Sequence, residues 1–206
     1  MQDDKNEIKI VYIDDSPDLA LSEYLDQYRF RDCLIQHDMD IPFNPEEGYE
    51  SLIHNQWVRE ANIILIDSVL FENRTIPHSK LTGEEFKLIL RKHFPFIEVI
   101  VVTQKEIEDG FVKIPKYDAQ KHQGTAFDYY KENLPRHLDE AVRNILDYRK
   151  IAANLKNNKA LERVLVEKIT NSIEGTGTYD ELTKTDIDKM VRAFKEVQEA
   201  LNAQRL

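Results

Sequence analysis

Short continuous runs of apolar residues recur along the chain, and each ends in a polar side chain. Three such runs with their polar ends are Ile8–Ile13 with Asp14, Ile63–Ile66 with Asp67, and Val99–Val102 with Thr103. A run of this length without alternation is typical of a strand buried on both faces of a parallel sheet, although a buried helix segment has a similar pattern. The length of the runs favours strands. Two weaker runs, at Cys33–Ile35 and at Ala126–Lys131, are predicted as further strands.

Segments with helical spacing lie between these runs. Helix-start signals are Ser16 followed by Pro17, Asn44 followed by Pro45, Thr82, and Pro135. The residues predicted to face inward are Leu21, Leu25 and Tyr28; Tyr49, Leu52, Ile53 and Trp57; Phe86, Ile89 and Leu90; and Leu138, Val142, Ile145 and Leu146. Because parallel neighbours require crossover connections, strands that alternate with helices predict a doubly wound parallel sheet of the α/β class.

The alternation stops near Lys150, and residues 151–206 carry two helical patterns. The first runs through Leu161 and Ile169, and the second through Ile187 and Leu201. A helical pair this small cannot bury its apolar stripes alone, so it should pack on the sheet domain or on another chain. We therefore predict a sheet domain over residues 1–150 and a helical extension over residues 151–206 for dimerisation or partner binding.

The composition of the chain limits the expected cellular location and the classes of partner. The chain has 206 residues, a formal net charge of -10 and one cysteine, Cys33. No apolar run approaches the roughly 20 residues of a membrane helix, so we expect a cytoplasmic protein without a membrane partner. Duplex binding relies on a basic footprint, so the acidic balance predicts that nucleic acid is not a partner. A divalent cation remains compatible with it.

The polar residues at the strand ends are predicted to meet at one edge of the sheet, where open α/β folds bind their ligands. These residues are Asp14, Asp15, Asp67, Thr103 and Lys131. Neighbouring carboxylates raise one another's pKa. A Mg²⁺ ion resolves that conflict because it takes oxygen ligands. Asp67 can then act as a nucleophile toward a phosphoryl group, with the lysine and the threonine hydroxyl contacting its oxygens.

This order of residues resembles the receiver domain of two-component response regulators. The matching features are an acidic pair after the first strand, an aspartate ending the third, a threonine ending the fourth and a lysine ending the fifth, over roughly residues 7–150. The resemblance implies a flavodoxin-like, five-stranded parallel sheet with helices on both faces. It also implies that Asp67 accepts a phosphoryl group from a histidine kinase or a phosphotransfer protein.

The resemblance further implies roles for the residues around Asp67. The Mg²⁺ ligands would be Asp14 or Asp15, Asp67 and the backbone carbonyl of Val69. Thr103 and Lys131 would contact the phosphate, and the switch aromatic would be Tyr129 or Phe127. Beyond self-phosphorylation and self-dephosphorylation, no enzymatic activity is expected. The output would be protein binding or formation of a homodimer through the C-terminal helices.

Several alternatives stay open. Lys113 is a rival to Lys131, but a strand ending there leaves no room for a helix after Thr103. Glu132 follows Lys131 where the family usually has proline, and the bulky Gln104 follows Thr103. A second hypothesis is therefore a pseudo-receiver scaffold that takes no phosphate, and a third is a Mg²⁺-dependent phosphatase-like enzyme. The long segment 68–81 would either gate access of the phosphodonor or carry a partner surface.

Overall fold

The structure is a computed structural model that describes residues 6–43, 48–70, 82–104, 113–157, 163–174 and 192. The chain divides into two compact units, Met1–Ile145 and Leu146–Leu206. Three sequence predictions lie outside the described residues: the helix start at Asn44, most of the segment 68–81 and, apart from residue 192, the helix through Ile187 and Leu201. Among the described residues, no helix is both long and apolar enough to cross a membrane.

The first unit contains a parallel sheet that has five strands within the described residues. The strands are β1 (Glu7–Asp14), β2 (Leu34–Pro42), β3 (Ile63–Asp67), β4 (Glu98–Thr103) and β5 (Lys113–Pro115). Their order is β2-β1-β3-β4-β5, and every pair is parallel. This order is that of flavodoxin-like doubly wound sheets, so the predicted fold class is confirmed. The order reverses at β1 and β3, the point where such sheets bind ligands.

The central strand β3 is buried on both faces, as its continuous apolar run predicts. All of its residues are buried, and the side chains of Ile63 to Ile66 are fully inaccessible to solvent. Full burial of each such side chain contributes about 1.5–3 kcal/mol. β3 pairs with β1 from Ile63 to Ile66 and with β4 from Ile63 to Asp67. Asp67 is therefore held by a rigid strand at the middle of the sheet.

Strand β2 forms one edge of the sheet and is longer than the predicted run Cys33–Ile35. Its register against β1 shifts between Ile10, which pairs with His37, and Val11, which pairs with Met39. One extra residue is thus present in β2 at this point. Such a bulge bends the strand and increases its twist.

Helix α1 (Leu19–Gln27) begins two residues later than predicted. Its N-cap is Asp18, whose side chain accepts from the backbone N–H groups of Ala20 and Leu21. A capping carboxylate stabilises a helix N-terminus by satisfying its free N–H groups. The prediction of Ser16 as the cap is therefore wrong, and the N–H of Ser16 donates to Asp14 Oδ1, 3.0 Å away.

The single helix predicted up to Trp57 is divided into α2 (Tyr49–His54) and α3 (Gln56–Glu60). Asn55 separates them, and its side chain caps α3 by accepting from the N–H groups of Trp57 and Val58. The break rotates the second segment, so Val58 is fully buried while Trp57 is 40% exposed. The prediction that Trp57 faces inward is therefore wrong.

Helix α4 (Gly83–His93) begins where the sequence predicts. Thr82 and Glu85 form a reciprocal capping box, in which each side chain bonds the other residue's backbone N–H. Phe86 and Leu90 are fully buried under the helix. Arg91, Lys92 and His93 place basic groups in the last turn, where they complement the helix dipole.

The predicted final strand Ala126–Lys131 is wrong, because these residues lie in helix α5 (Ala126–Asn133). Thr125 caps this helix by accepting from the N–H of Asp128. Helical spacing places Tyr130 inside, where it is fully buried. The fifth strand is instead β5, which pairs with β4 so that Thr103 lies opposite Pro115.

Helix α6 (Pro135–Asn157) begins at the predicted proline and buries Leu138, Val142 and Ile145. In the second unit, helix α7 (Arg163–Glu174) corresponds to the first helix predicted for the extension. Val166, Ile169 and Ile173 are buried, whereas Val164 is exposed. The buried positions follow the helical period of an amphipathic stripe.

Candidate functional site

The carboxyl ends of β1 and β3 bring three carboxylates together. Asp14 ends β1, Asp15 follows it, and Asp67 ends β3. Oxygen atoms from the three side chains lie within 4.8 Å of one another. Asp14 and Asp67 are only 1% and 4% exposed, while Asp15 lies at the surface. The structure thus assembles the acidic side of the predicted pocket.

Lys116 completes this pocket, although the sequence analysis did not select it. Its Nζ donates to Asp14 Oδ2 at 2.6 Å and forms an ion pair with Asp67 Oδ1 at 2.8 Å. The residue follows β5 directly, and its backbone N–H donates to the carbonyl of Thr103 at 2.7 Å. The available signal was a lysine placed immediately after the apolar–proline pair Ile114-Pro115.

The structure does not bring Lys131 to the pocket, so its prediction as the lysine that ends the fifth strand is wrong. Lys131 lies on α5 and is exposed. The two candidate switch aromatics lie on the same helix. The ring of Phe127 packs edge-on against Tyr24, with centroids 6.2 Å apart. The hydroxyl of Tyr129 donates to the carbonyl of Pro115 at 3.1 Å, next to Lys116.

Thr103 and Val69, the other two residues predicted for the site, follow the ends of the apolar runs in β4 and β3. Thr103 ends β4 and is 1% exposed. Val69 lies in the turn after β3, and its N–H donates to Asp67 Oδ2 at 2.8 Å. This bond fixes the orientation of the Asp67 carboxylate at the strand end.

The other oxygen of this carboxylate, Asp67 Oδ1, faces the amine of Lys116. It is buried, and the amine lies 2.8 Å away, at the distance of an ion pair. The buried carboxylate is therefore held between the N–H of Val69 on one oxygen and the positive charge of Lys116 on the other.

The groups in the pocket raise two pKa values, those of Asp15 and Lys116. Partial burial raises the pKa of Asp15, and a hydrogen bond to Asp14 with the negative charges of Asp14 and Asp67 raises it further. Burial alone would lower the pKa of the Lys116 amine, but bonding to Asp14 and Asp67 outweighs it and raises that pKa. Lys116 is therefore held in its charged form. The repulsion among the carboxylates disfavours the charged form of Asp15.

A buried tyrosine also contacts the acidic group. The hydroxyl of Tyr12, on the same face of β1 as Asp14, donates to Asp14 Oδ2. Burial, followed by the negative charge of Asp14, raises the pKa of Tyr12 well above its usual range. The tyrosine is therefore a neutral hydrogen-bond donor under ordinary conditions.

The start of α4 is seated tightly against the end of β3. The N–H of Gly83 donates to the carbonyl of Ser68 at 2.9 Å. A Cβ atom at position 83 would lie 2.5 Å from the carbonyl oxygen of Asp67, so a side chain there requires the backbone to shift. Ser68 Oγ donates to the carboxylate of Glu84, which also pairs with Lys113 at 2.5 Å. Lys113, the rival lysine, is thus engaged with Glu84.

The residues present fit a hard divalent cation. Asp14, Asp15 and Asp67 offer carboxylate oxygens close enough to share one ion. Asp67 Oδ1 is buried beside the Lys116 amine, and Mg²⁺ takes carboxylate oxygens as ligands while keeping several waters. Lys116 and a bound cation would then together offset the negative charge of the three carboxylates.

Comparison with known proteins gives one point of similarity. No family model and no curated protein matches the chain. The chain is similar to a solved structure described as "Structure of the two-component response regulator RcsB-DNA complex". The sequence identity is 13%, the TM-score is 0.39, and the match covers 84% of this chain and 95% of that chain.

That structure is described as a complex with DNA, whereas the acidic balance of the sequence predicts that nucleic acid is not a partner of this chain. That prediction is corrected, because a net charge of -10 averages over the whole chain and does not describe any local surface. Overall acidity therefore does not decide this class of partner.

Proposed function

We propose that the protein is a phosphoacceptor response regulator of a two-component phosphorelay, with Asp67 as the acceptor. The observation that carries this proposal is the cluster of Asp14, Asp15 and Asp67, whose oxygens lie within 4.8 Å of one another, with the Lys116 amine 2.8 Å from Asp67 Oδ1. Asp67 stands at the carboxyl end of the central strand, beside the point where the strand order reverses. Open α/β sheets carry their chemistry at this position.

The proposed reaction is a phosphoryl transfer from a phosphorylated histidine. An oxygen of the Asp67 carboxylate forms a bond to phosphorus, and the bond between phosphorus and the histidine nitrogen breaks. The bonding electrons stay on the imidazole nitrogen, which takes up a proton. The product is an aspartyl phosphate that water later hydrolyses.

The side chains around Asp67 have separate roles in this proposal. When bound at Asp14, Asp15 and Asp67, Mg²⁺ supplies the positive charge that offsets the carboxylates and the phosphoryl oxygens. Lys116 supplies the second positive charge, in place of Lys131. Thr103 lies at the end of the neighbouring strand, and its hydroxyl would donate to a phosphoryl oxygen. The carbonyl of Val69 would be a further cation ligand.

The proposed output is protein binding or dimerisation through the helices beyond residue 146, as the amphipathic pattern of α7 suggests. In this scheme the protein turns over no substrate other than its own phosphoryl group. Its phosphorylation would act as a local change of charge that shifts a bistable surface.

Beryllofluoride, which mimics a phosphoryl group on a carboxylate, provides the test. Wild type should bind beryllofluoride saturably by calorimetry only when Mg²⁺ is present, and should gain one phosphoryl group from acetyl phosphate by intact-protein mass spectrometry. Asp67→Asn should do neither. Asp147→Asn, at an exposed position of α6, is the matched control and should behave as wild type. Absence of both reactions in wild type would overturn the proposal.

One observation favours a second candidate, a pseudo-receiver scaffold that takes no phosphate. Lys116 already bridges Asp14 and Asp67 and neutralises part of the pocket without a metal. A scaffold would show no Mg²⁺ binding and no beryllofluoride binding. Steady turnover of a phosphoester by wild type would instead identify a phosphatase-like enzyme.

A further inference from the structure

Two buried tyrosine hydroxyls lie in a closed network around the pocket, made of hydrogen bonds and of the covalent links between the bonded groups. Tyr12 and Tyr130 are both fully buried, and each hydroxyl both accepts and donates. Tyr12 accepts from the N–H of Asp18 at 3.4 Å and donates to Asp14 Oδ2. Tyr130 accepts from the N–H of Tyr117 at 3.2 Å and donates to Asp18 Oδ2 at 2.6 Å.

The chain closes because Tyr117 directly follows Lys116. Starting at Lys116, the path runs through the Tyr117 amide to Tyr130, then to Asp18 and Tyr12, and reaches Asp14. The Lys116 amine donates to that same Asp14 oxygen at 2.6 Å. We name these residues, Asp14, Tyr12, Asp18, Tyr130, Tyr117 and Lys116, the tyrosine cycle. It links β1, the start of α1, α5 and the end of β5.

The tyrosine cycle determines which oxygen of Asp14 remains available. Oδ2 accepts from both Tyr12 and Lys116, so both of its lone pairs are engaged. Oδ1 accepts from the N–H of Ser16 at 3.0 Å. Because a carboxylate oxygen has about two acceptor positions, a ligand of Asp14 would have to bind Oδ1 instead of Oδ2.

We propose that Tyr12 and Tyr130 are positioning residues of the cation and phosphoryl pocket, which hold Asp14 and Lys116 in one fixed arrangement opposite Asp67. This inference rests on the proposed function, because it concerns the ligands of that same site. Neither tyrosine touches the cation. Tyr12 acts through Asp14, and Tyr130 acts through Asp18 on one side and through the backbone beside Lys116 on the other.

The test measures Mg²⁺ affinity by calorimetry in Tyr12→Phe, Tyr130→Phe and the double variant. Loss of a hydrogen-bonding partner behind a metal ligand weakens binding by about 10–100-fold, so Tyr12→Phe should bind Mg²⁺ about tenfold more weakly. Tyr130→Phe should also weaken binding. Because either change opens the same closed chain, the double variant should lose no more than the larger single loss, in contrast to independent sites.

Tyr28→Phe is the matched control. Tyr28 is also buried, and its hydroxyl also donates to a carboxylate, that of Asp139 at 2.9 Å, away from the pocket. A merely structural role for these hydroxyls would lower the thermal stability of all three single variants and leave every Mg²⁺ affinity unchanged. We expect Tyr28→Phe alone to keep wild-type affinity.

The outcomes separate this inference from the proposed function. Wild-type affinity in Tyr12→Phe, or independent losses that multiply in the double variant, would overturn the tyrosine cycle and leave the phosphoacceptor proposal intact. Absence of Mg²⁺ binding by wild type would overturn the phosphoacceptor proposal and this inference with it.

Discussion

Lys116 places its amine 2.8 Å from Oδ1 of Asp67, the carboxylate that ends the central strand. The lysine side chain is 6% exposed, and it reaches Asp14 with the same nitrogen. One positive charge thus lies between two buried negative charges. The stability of the pocket and its affinity for a cation are therefore linked.

Lys116→Met should destabilise the metal-free protein strongly. Removal of one partner from a buried ion pair leaves an uncompensated charge, which costs about 3–5 kcal/mol. Added Mg²⁺ should restore part of this loss, since a ligand that binds the folded state stabilises it. Urea unfolding with and without Mg²⁺ measures both effects. Lys131→Met, at an exposed position of α5, should change stability by less than about 0.5 kcal/mol; an equal loss in both variants would contradict the assignment of Lys116.

Asp15→Asn should stabilise the metal-free protein at neutral pH. The folded pKa of Asp15 lies above its ordinary value of 3.8, so the folded protein binds the proton more tightly than the unfolded chain. Wild type therefore loses stability as pH rises through the folded pKa of Asp15. The difference in the free energy of unfolding between the variant and wild type should grow as pH rises toward the folded pKa. It should vanish below about pH 3, where the carboxyl of Asp15 is protonated in both the folded and the unfolded state.

Urea unfolding as a function of pH measures this difference. With Mg²⁺ present at neutral pH, wild type should instead be the more stable of the two proteins, because cation binding needs the charged carboxylate. A constant difference between the two proteins at all pH values would show that Asp15 carries no raised pKa.

Gly83→Ala should destabilise the protein, against the usual trend for helices. Alanine in place of glycine within a helix ordinarily stabilises by about 0.5–1 kcal/mol. Here the added Cβ would lie 2.5 Å from the backbone carbonyl oxygen of Asp67, and overpacking of this kind costs about 1–3 kcal/mol. We expect a lower urea midpoint and weaker beryllofluoride binding, because the shift displaces the acceptor. Higher stability with unchanged binding would show that α4 moves freely at this point.

Glu84→Gln should destabilise the protein at neutral pH and have little effect in acid. Although burial alone would raise the pKa of Glu84, Lys113 and Ser68 lower it below its ordinary value of 4.5. A lowered folded pKa contributes stability above the unfolded pKa, and this contribution is lost as pH falls through the folded value. Thermal unfolding at pH 7 and near pH 3 measures the change. Glu140→Gln, at an exposed position of α6, is the control and should change stability by less than about 0.5 kcal/mol.

The central strands were predictable because their side chains are buried on both faces. A strand in that position is mostly apolar, so Ile63–Ile66, and Ile8–Ile13 despite Lys9, identify β3 and β1 directly. The acidic residues follow at fixed positions after them. The capping box of α4 was also predictable, since Thr82 and Glu85 carry a purely local signal.

The strand β5 and the lysine that follows it were not predictable in the same way. β5 contains only Lys113–Pro115, too few residues to show any period. The aromatic run from Ala126 to Tyr130 has strand-like composition, but the local cap at Thr125 makes it a helix. Because the strand was assigned to the wrong segment, the lysine after it was also misassigned. The position of Lys116 in the pocket is set by the pairing of β5 with β4, which a local sequence pattern does not show.

The shifted register of β2 has a consequence for the exposed side of the sheet. β2 is an edge strand with exposed Leu34 and Met39, a combination that invites pairing with a strand from another molecule. The extra residue after His37 interrupts the even spacing of backbone groups, and Pro42 at the strand end lacks a donor. The edge is therefore a poor template, and the irregularity protects the protein against growth of intermolecular sheets.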